Sequence, residues 1–137
     1  MAEIILAATV ENIAAATDFV TEQLEMLECP MKVQMQFSIA VDELFGNIAY
    51  YAYPSGGGTA TVQVHTREEG RQVIVTFVDE GVPYNPLAKE DPDIALSAED
   101  RPIGGLGIFM VKKSMDEISY RYENGSNILS IRKNLRS

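Results

Sequence analysis

The sequence has no tryptophan, one cysteine and one histidine in 137 residues, and its acidic residues outnumber the basic ones 20 to 11. Each shortage excludes something. A lone thiol at Cys29 makes neither a disulfide framework nor a cysteine-built metal site, and it fits a reducing compartment. A formal charge of −9 argues against a sequence-independent grip on DNA or RNA, which needs a basic face. It also constrains any phosphate site to backbone amides, a helix N-terminus or a metal ion. The opening Met-Ala-Glu-Ile-Ile-Leu-Ala-Ala-Thr has no basic n-region, and its apolar run is too short for a signal peptide or a membrane span. The expected location is the cytoplasm, with no membrane partner. No internal repeat and no low-complexity tract is present.

What remains is ordinary globular composition, 46% hydrophobic and 23% charged. The length fits one domain over residues 1–137, large enough for a core without staples. Residues 3–8 read as a short strand, and Thr9 is placed to cap the helix after it. Ile13, Thr17, Val20, Leu24 and Leu27 recur at helical steps and predict an amphipathic helix ending at Cys29-Pro30. A second helix comes next, closed by Pro54, and Pro54-Ser-Gly-Gly-Gly58 breaks the chain. Ala60, Val62 and Val64 alternate with polar residues in a half-buried strand. After a turn at Glu69-Gly70 comes a strand apolar on both faces, from Val73 to Val78, which is expected to be central.

Residues 80–103 hold four of the six prolines, many carboxylates and no periodicity, so they read as a long loop that is functional or mobile. Gly104-Gly-Leu-Gly107 then opens a helix with Ile108, Val111 and Met115 as its buried stripe and Lys112 and Lys113 in its last turn. Strands over 118–123 and 127–133 are joined by Asn124-Gly125, a strong hairpin signal. The order implies an α+β fold, a two-layer α/β sandwich whose mostly antiparallel or mixed sheet carries three helices on one face.

Four features could carry chemistry. In the helix over 37–53, Phe37, Ala40, Val41, Leu44, Ile48 and Ala52 form an apolar stripe at about 100° per residue. Glu43 and Asn47, four apart, project together from its margin, with Asp42 on the opposite margin. Taken alone they are two polar border residues. Three glycines in four positions at a helix start each forgo about 1 kcal/mol relative to alanine. That suits either a hinge or amides exposed to an anion. No Gly-Lys-Ser/Thr is present, so this is not a P-loop, and the run does not follow the first strand of a βαβ unit. Asp79-Glu-Gly-Val-Pro83, straight after the central strand, is either an acidic turn or a carboxylate poised for an amino group such as adenine's, with Gly81 admitting a flat ring. His65 reads as an exposed strand histidine, Tyr50, Tyr51 and Tyr53 as packing residues, and Lys89 and Arg101 as loop cations able to reach a phosphate.

In this order, Glu43-x-x-x-Asn47 on a helix, Asp79-x-Gly81 after a central strand, a loop, and Gly105-x-Gly107 at a helix start resemble the nucleotide-binding boxes of the GHKL ATPase superfamily. That superfamily includes gyrase, a heat-shock chaperone, histidine kinases and mismatch-repair ATPases. The resemblance covers nearly the whole chain. Its opening strand and two leading helices resemble the stand-alone anti-sigma factor serine/threonine kinases of bacteria. The resemblance implies a histidine-kinase-like ATPase fold binding ATP with Mg²⁺. It assigns Asn47 to the metal, Glu43 to general base, and Asp79 to the adenine amino group with Gly81 beside the ring. It makes 84–103 an ATP lid and puts Gly104, Gly105, Leu106 and Gly107 at the phosphates. It further implies a sigma factor and an anti-sigma factor antagonist as partners, phosphorylation of the antagonist in partner switching, and a possible homodimer. Two positions depart from the family pattern. Tyr51 stands where a histidine is frequent, and Arg101 is separated from the second glycine box by Pro102-Ile103. Other readings of the same boxes are a nucleotide-gated binding module without turnover, the catalytic fragment of a histidine kinase, and a nucleotide-independent adaptor. The histidine-kinase reading lacks a dimerising hairpin with an acceptor histidine.

Overall fold

A computed structural model describes residues 1–88 and 106–135. Strands β1 (Ala2–Ala7), β2 (Thr59–Arg67), β3 (Gln72–Asp79), β4 (Glu117–Glu123) and β5 (Ser126–Asn134) form one sheet in the order β1-β2-β3-β5-β4. Every neighbouring pair is antiparallel, which resolves the expected mostly antiparallel sheet in favour of a fully antiparallel one. Two turns set the register. Asn124 and Gly125 both adopt positive φ, 53° and 81°, which a tight hairpin turn between twisted strands requires. Glu68, Glu69 and Gly70 do the same between β2 and β3.

The period-two pattern divides the sheet. Ala60, Val62 and Val64 of β2, Val73, Val75 and Phe77 of β3, and Leu129 and Ile131 of β5 face the core. β3 is the middle strand, as its two apolar faces require. On the far side Ile74 and Thr76 are also buried, with His65 and Arg132 opposite Ile74 across the ladder. His65 is therefore half-buried rather than exposed, and its Nδ1 is buried without a hydrogen-bond partner. Burial, then the charges of Arg67 and the N-terminus, lower its pKa and keep the ring neutral at neutral pH.

Three helices supply the second layer: α1 (Ile13–Met26), α2 (Met31–Asn47) and α3 (Leu106–Ser114). Ala16, Val20 and Leu24 of α1 and Phe37, Ala40, Val41, Leu44 and Phe45 of α2 are buried, and α2 packs against both other helices. Ile108 and Val111 of α3, with Met115 just beyond it, are buried as their spacing predicts. α1 ends with Glu28 at φ 55° and the Cys29 N–H bonded to the Leu24 carbonyl, a left-handed cap that lets Pro30 start α2. Thr9 does not cap the first helix with its side chain. Instead Asn12 Nδ2 donates to the Ala7 carbonyl, tying the helix entry to the end of β1. Tyr50 and Tyr51 are exposed, contrary to the packing role expected of them, because they stand on the outer side of a turn whose inward residues are Ile48 and Ala52. No helix among the described residues is long and apolar enough to cross a membrane.

Two residues of α2 calibrate the layer. Phe37 is 0% exposed and Met35 59%. Phe37→Ala should cost about 3–5 kcal/mol in urea unfolding, and Met35→Ala should stay within about 0.5 kcal/mol. Equal losses would show that α2 buries a different face.

Candidate functional site

The site forms where the C-terminal end of α2 meets the end of β3. After Asn47 the helix widens into a π-helical turn over Ile48–Ala52. Such turns are rare and concentrate at functional places. This one brings the Ala52 carbonyl to the segment beyond β3, where it accepts the Val82 N–H at 2.8 Å. A Cβ built at Gly81 would lie 2.6 Å from the Ala52 carbonyl carbon and nearer still to its oxygen. The glycine is thus demanded by the helix end, and the space expected to admit a flat ring is filled by Ala52. Tyr53 completes the join. Its hydroxyl donates to the Thr59 carbonyl at 2.6 Å and accepts from the Glu80 N–H at 2.8 Å. Its ring occupies the place a side chain at Gly58 would take.

Asp79 is the last residue of β3 and is buried. Its Oδ1 accepts from the Gly81 N–H and from Asn127 Nδ2, both at 2.9 Å. Asn127, opposite it on β5, is saturated. Its Nδ2 also donates to the Val82 carbonyl at 2.9 Å, and its Oδ1 accepts from the Tyr84 N–H at 3.1 Å and from the Tyr120 hydroxyl. Burial first, and the nearby Asp79 charge, raise the Tyr120 pKa, so the phenol stays a donor. Two acceptors on one side and two donors on the other leave the Asn127 amide one orientation. Asp79 Oδ1 is spent on two donors, which leaves Oδ2 for a ligand.

Beside this pair lies a cavity of about 40 Å³. Its walls are mostly apolar, Leu44, Ile48, Phe77 and Leu129 among them, with Asp79, Asn127 and Asn47 as polar points. An apolar slot with a few convergent polar groups is the usual form of a small-molecule site. At this volume it has room for a few waters, and Val82, Tyr84 and Pro86 line one side of it. Tyr84 on that side stacks on Tyr51, with ring centroids 5.4 Å apart. A wider trough of about 400 Å³ on the helix-free face, lined by His65, Arg67 and Arg132, holds none of the motif residues.

Asn47, one turn along α2 from Glu43, lines the cavity, and its Nδ2 is buried without a hydrogen-bond partner. Glu43 is half-buried, and its carboxyl lies against Gly107, the second residue of α3. The structure therefore brings Glu43, Asn47, Asp79, Gly81 and Gly107 to one end of the fold. For Leu106 it describes the backbone, at the first position of α3. Gly104, Gly105, Lys89, Arg101 and the stretch 89–103 of the expected lid lie outside the described residues. No group of three or more His, Cys, Asp or Glu that could hold a metal occurs among the described residues. Mg²⁺, the ion the family resemblance implies, is carried in by phosphates and needs only one or two protein oxygens. The Asn47 side chain offers one such oxygen at the cavity wall, while its orphaned Nδ2 is a donor that suits a phosphate oxygen rather than a cation.

Asn127, Tyr120 and Tyr84 were not singled out from the sequence. A signal existed for Asn127. It shares the strand parity of Leu129 and Ile131, so an amide stands at a core-facing position.

The sequence model of one family, the histidine kinase-like ATPase domain, matches residues 6–133. Over 100 residues the chain is 27% identical to the serine/threonine-protein kinase BtrW of Bordetella bronchiseptica, covering 73% of this chain and 70% of that protein. Over 129 residues it is 26% identical to the serine-protein kinase RsbW of Bacillus cereus, covering 91% and 73%. A solved structure of the RsbU and RsbW domains of a Mycobacterium tuberculosis protein superposes on 98% of this chain and 33% of its own, with a TM-score of 0.64 at 12% identity. That likeness concerns the fold.

The Asp79–Asn127 contact has a pH signature. Asn127→Asp would set a second carboxyl against Asp79 Oδ1 and the Val82 carbonyl, both acceptors. Two carboxylates at that distance cannot both ionise cheaply, so the new group titrates above its ordinary value near 3.9. A raised folded-state pKa means the variant keeps most stability at low pH and loses it as pH rises through that pKa. Its melting temperature should fall further below that of the unaltered chain at pH 8 than at pH 5. Parallel profiles would show that the pair is not in contact.

Proposed function

The chain belongs to the histidine kinase-like ATPase domain family, and on that footing we propose that it is a cytoplasmic ATP-dependent protein serine/threonine kinase that regulates a sigma factor by partner switching. It would hold the sigma factor and phosphorylate an anti-sigma factor antagonist. The whole of 1–137 acts as one ATPase domain, with 84–103 as its lid. The observation that carries the nucleotide reading is the buried Asp79, whose Oδ1 is saturated by Gly81 and Asn127 beside an apolar slot. The kinase reading rests on similarity to proteins named as serine or serine/threonine kinases.

In this reading Asp79 Oδ2 accepts a hydrogen bond from the adenine amino group, and Leu44, Ile48, Phe77 and Leu129 cover the ring. The first-turn amides of α3 and of the Gly104–Gly107 run receive the phosphates, which explains how a chain of charge −9 could bind a polyanion. Magnesium carried in with ATP screens the phosphate charge, and the amide oxygen of Asn47 is the donor that would hold it. Glu43 takes the proton of an incoming serine or threonine hydroxyl as its oxygen bonds to the γ-phosphorus. The bond from that phosphorus to the β–γ bridging oxygen breaks, and ADP leaves.

Calorimetry with ATP and Mg²⁺ tests the first half. Binding and a raised melting temperature are expected, and neither appearing would end the reading. Asn47→Ala should weaken binding in Mg²⁺ and remove most of the difference that EDTA makes to the unaltered chain. For the second half, Glu43→Gln should lower transfer of labelled phosphate to an antagonist protein by about 10²–10⁴-fold. Unchanged transfer would take the base role from Glu43, and a stable complex with no labelled protein would mark a switch without turnover.

A further inference from the structure

Glu43 occupies a place that phosphate should want. A Cβ on Gly107 would lie 2.6 Å from Glu43 Oε1 and nearer still to Cδ and Oε2. The carboxyl therefore fills the space that the missing side chain leaves open. Gly107 is the second of the nine residues of α3. The first-turn amides of a helix have no acceptor within it and carry the positive end of its dipole. An anion at this spot is held for the same reason a phosphate would be.

The placement is set by the core. Glu43 stands on α2 between Val41 and Leu44, which are 0% and 3% exposed, so its Cα cannot retreat. Only side-chain rotation can clear the helix end. The carboxylate and a polyphosphate cannot share these amides without like-charge repulsion in a partly desolvated site. Asn47, one turn on, lines the adjoining cavity with a buried Nδ2 that lacks a partner, a donor suited to a ligand reaching from that cavity toward Glu43.

We propose that Glu43 is an internal stand-in for the nucleotide's phosphates. In the nucleotide-free protein its carboxylate caps α3, and ATP displaces it from the helix end. The residue read as the base is thereby engaged with α3 until phosphate arrives, and becomes available for a hydroxyl proton only then. This rests on the phosphate placement proposed above and adds a competition that a base role alone does not contain.

The test is calorimetric titration of the purified chain and of Glu43→Gln with ATP, ADP, AMP and adenosine. Glutamine keeps the shape and removes the charge. The variant should bind ATP about three- to tenfold tighter, the scale of one charge at a helix terminus. The gain should shrink from ATP to AMP and vanish for adenosine. Without nucleotide the variant should melt lower, having lost the charged cap on α3, and its ATP-induced rise should be larger. Glu43→Ala should show the same order of gains. ATP affinity unchanged or weakened in both variants, or an equal gain with adenosine, overturns the stand-in while leaving the nucleotide reading intact. Absence of ATP binding by the unaltered chain overturns both.

Discussion

The contact between Asp79 and Asn127 is the constraint around which this end of the molecule is arranged. Both residues are 5% exposed. A carboxylate in that position is tolerable only with hydrogen-bond donors around it, since an unpaired buried charge costs several kcal/mol. The donors come from the neighbouring strand and from the chain's own next turn. Asp79 and Asn127 are opposed across the β3–β5 ladder, so one residue of slip would turn Asn127 to the other face and leave the carboxylate without it. The hairpin at Asn124-Gly125 is what prevents that slip. Its two positive φ angles fix where β5 begins, at Ser126, one residue before the amide that must meet Asp79.

From the same amide the order spreads outward. Its remaining donor and acceptor hold the Val82 carbonyl and the Tyr84 N–H, so the first residues beyond β3 are bound to the sheet. The helix layer grips that segment from the other side through the Ala52 carbonyl. Ala52 is the last residue of the π-helical turn over Ile48–Ala52. Gly81 is required by this approach, and Gly107 by the approach of Glu43. Two glycines that look alike in sequence thus serve two different contacts, each with a residue of the α2 end.

Much of this fold is legible in the residues. The spacing of Phe37, Val41 and Leu44 specifies which side of α2 is buried. The two-sided apolarity of β3 puts it in the middle, and Asn124-Gly125 announces its hairpin. These are local signals read against a fixed period, and no tertiary contact competes with them. Where the reading failed, one did. Thr9 lost its capping role to Asn12, which reaches β1. Tyr50 and Tyr51 look like core residues but stand on the outer side of a turn that buries Ala52 instead. His65, expected to be exposed, is half-buried across the ladder from Ile74.

The sequence by itself determined the elements, their order, the buried stripes and the residue types from which a site could be assembled, because these depend on covalent neighbours and on helix and strand periods. Only the tertiary structure decided which of those residues meet. Asp79 and Asn127 are separated by 48 positions yet share a hydrogen bond. Glu43 and Gly107 are also remote in sequence but are brought together by the packing of α2 on α3. No local period encodes such pairings. They follow from strand register and helix packing, which are properties of the whole core.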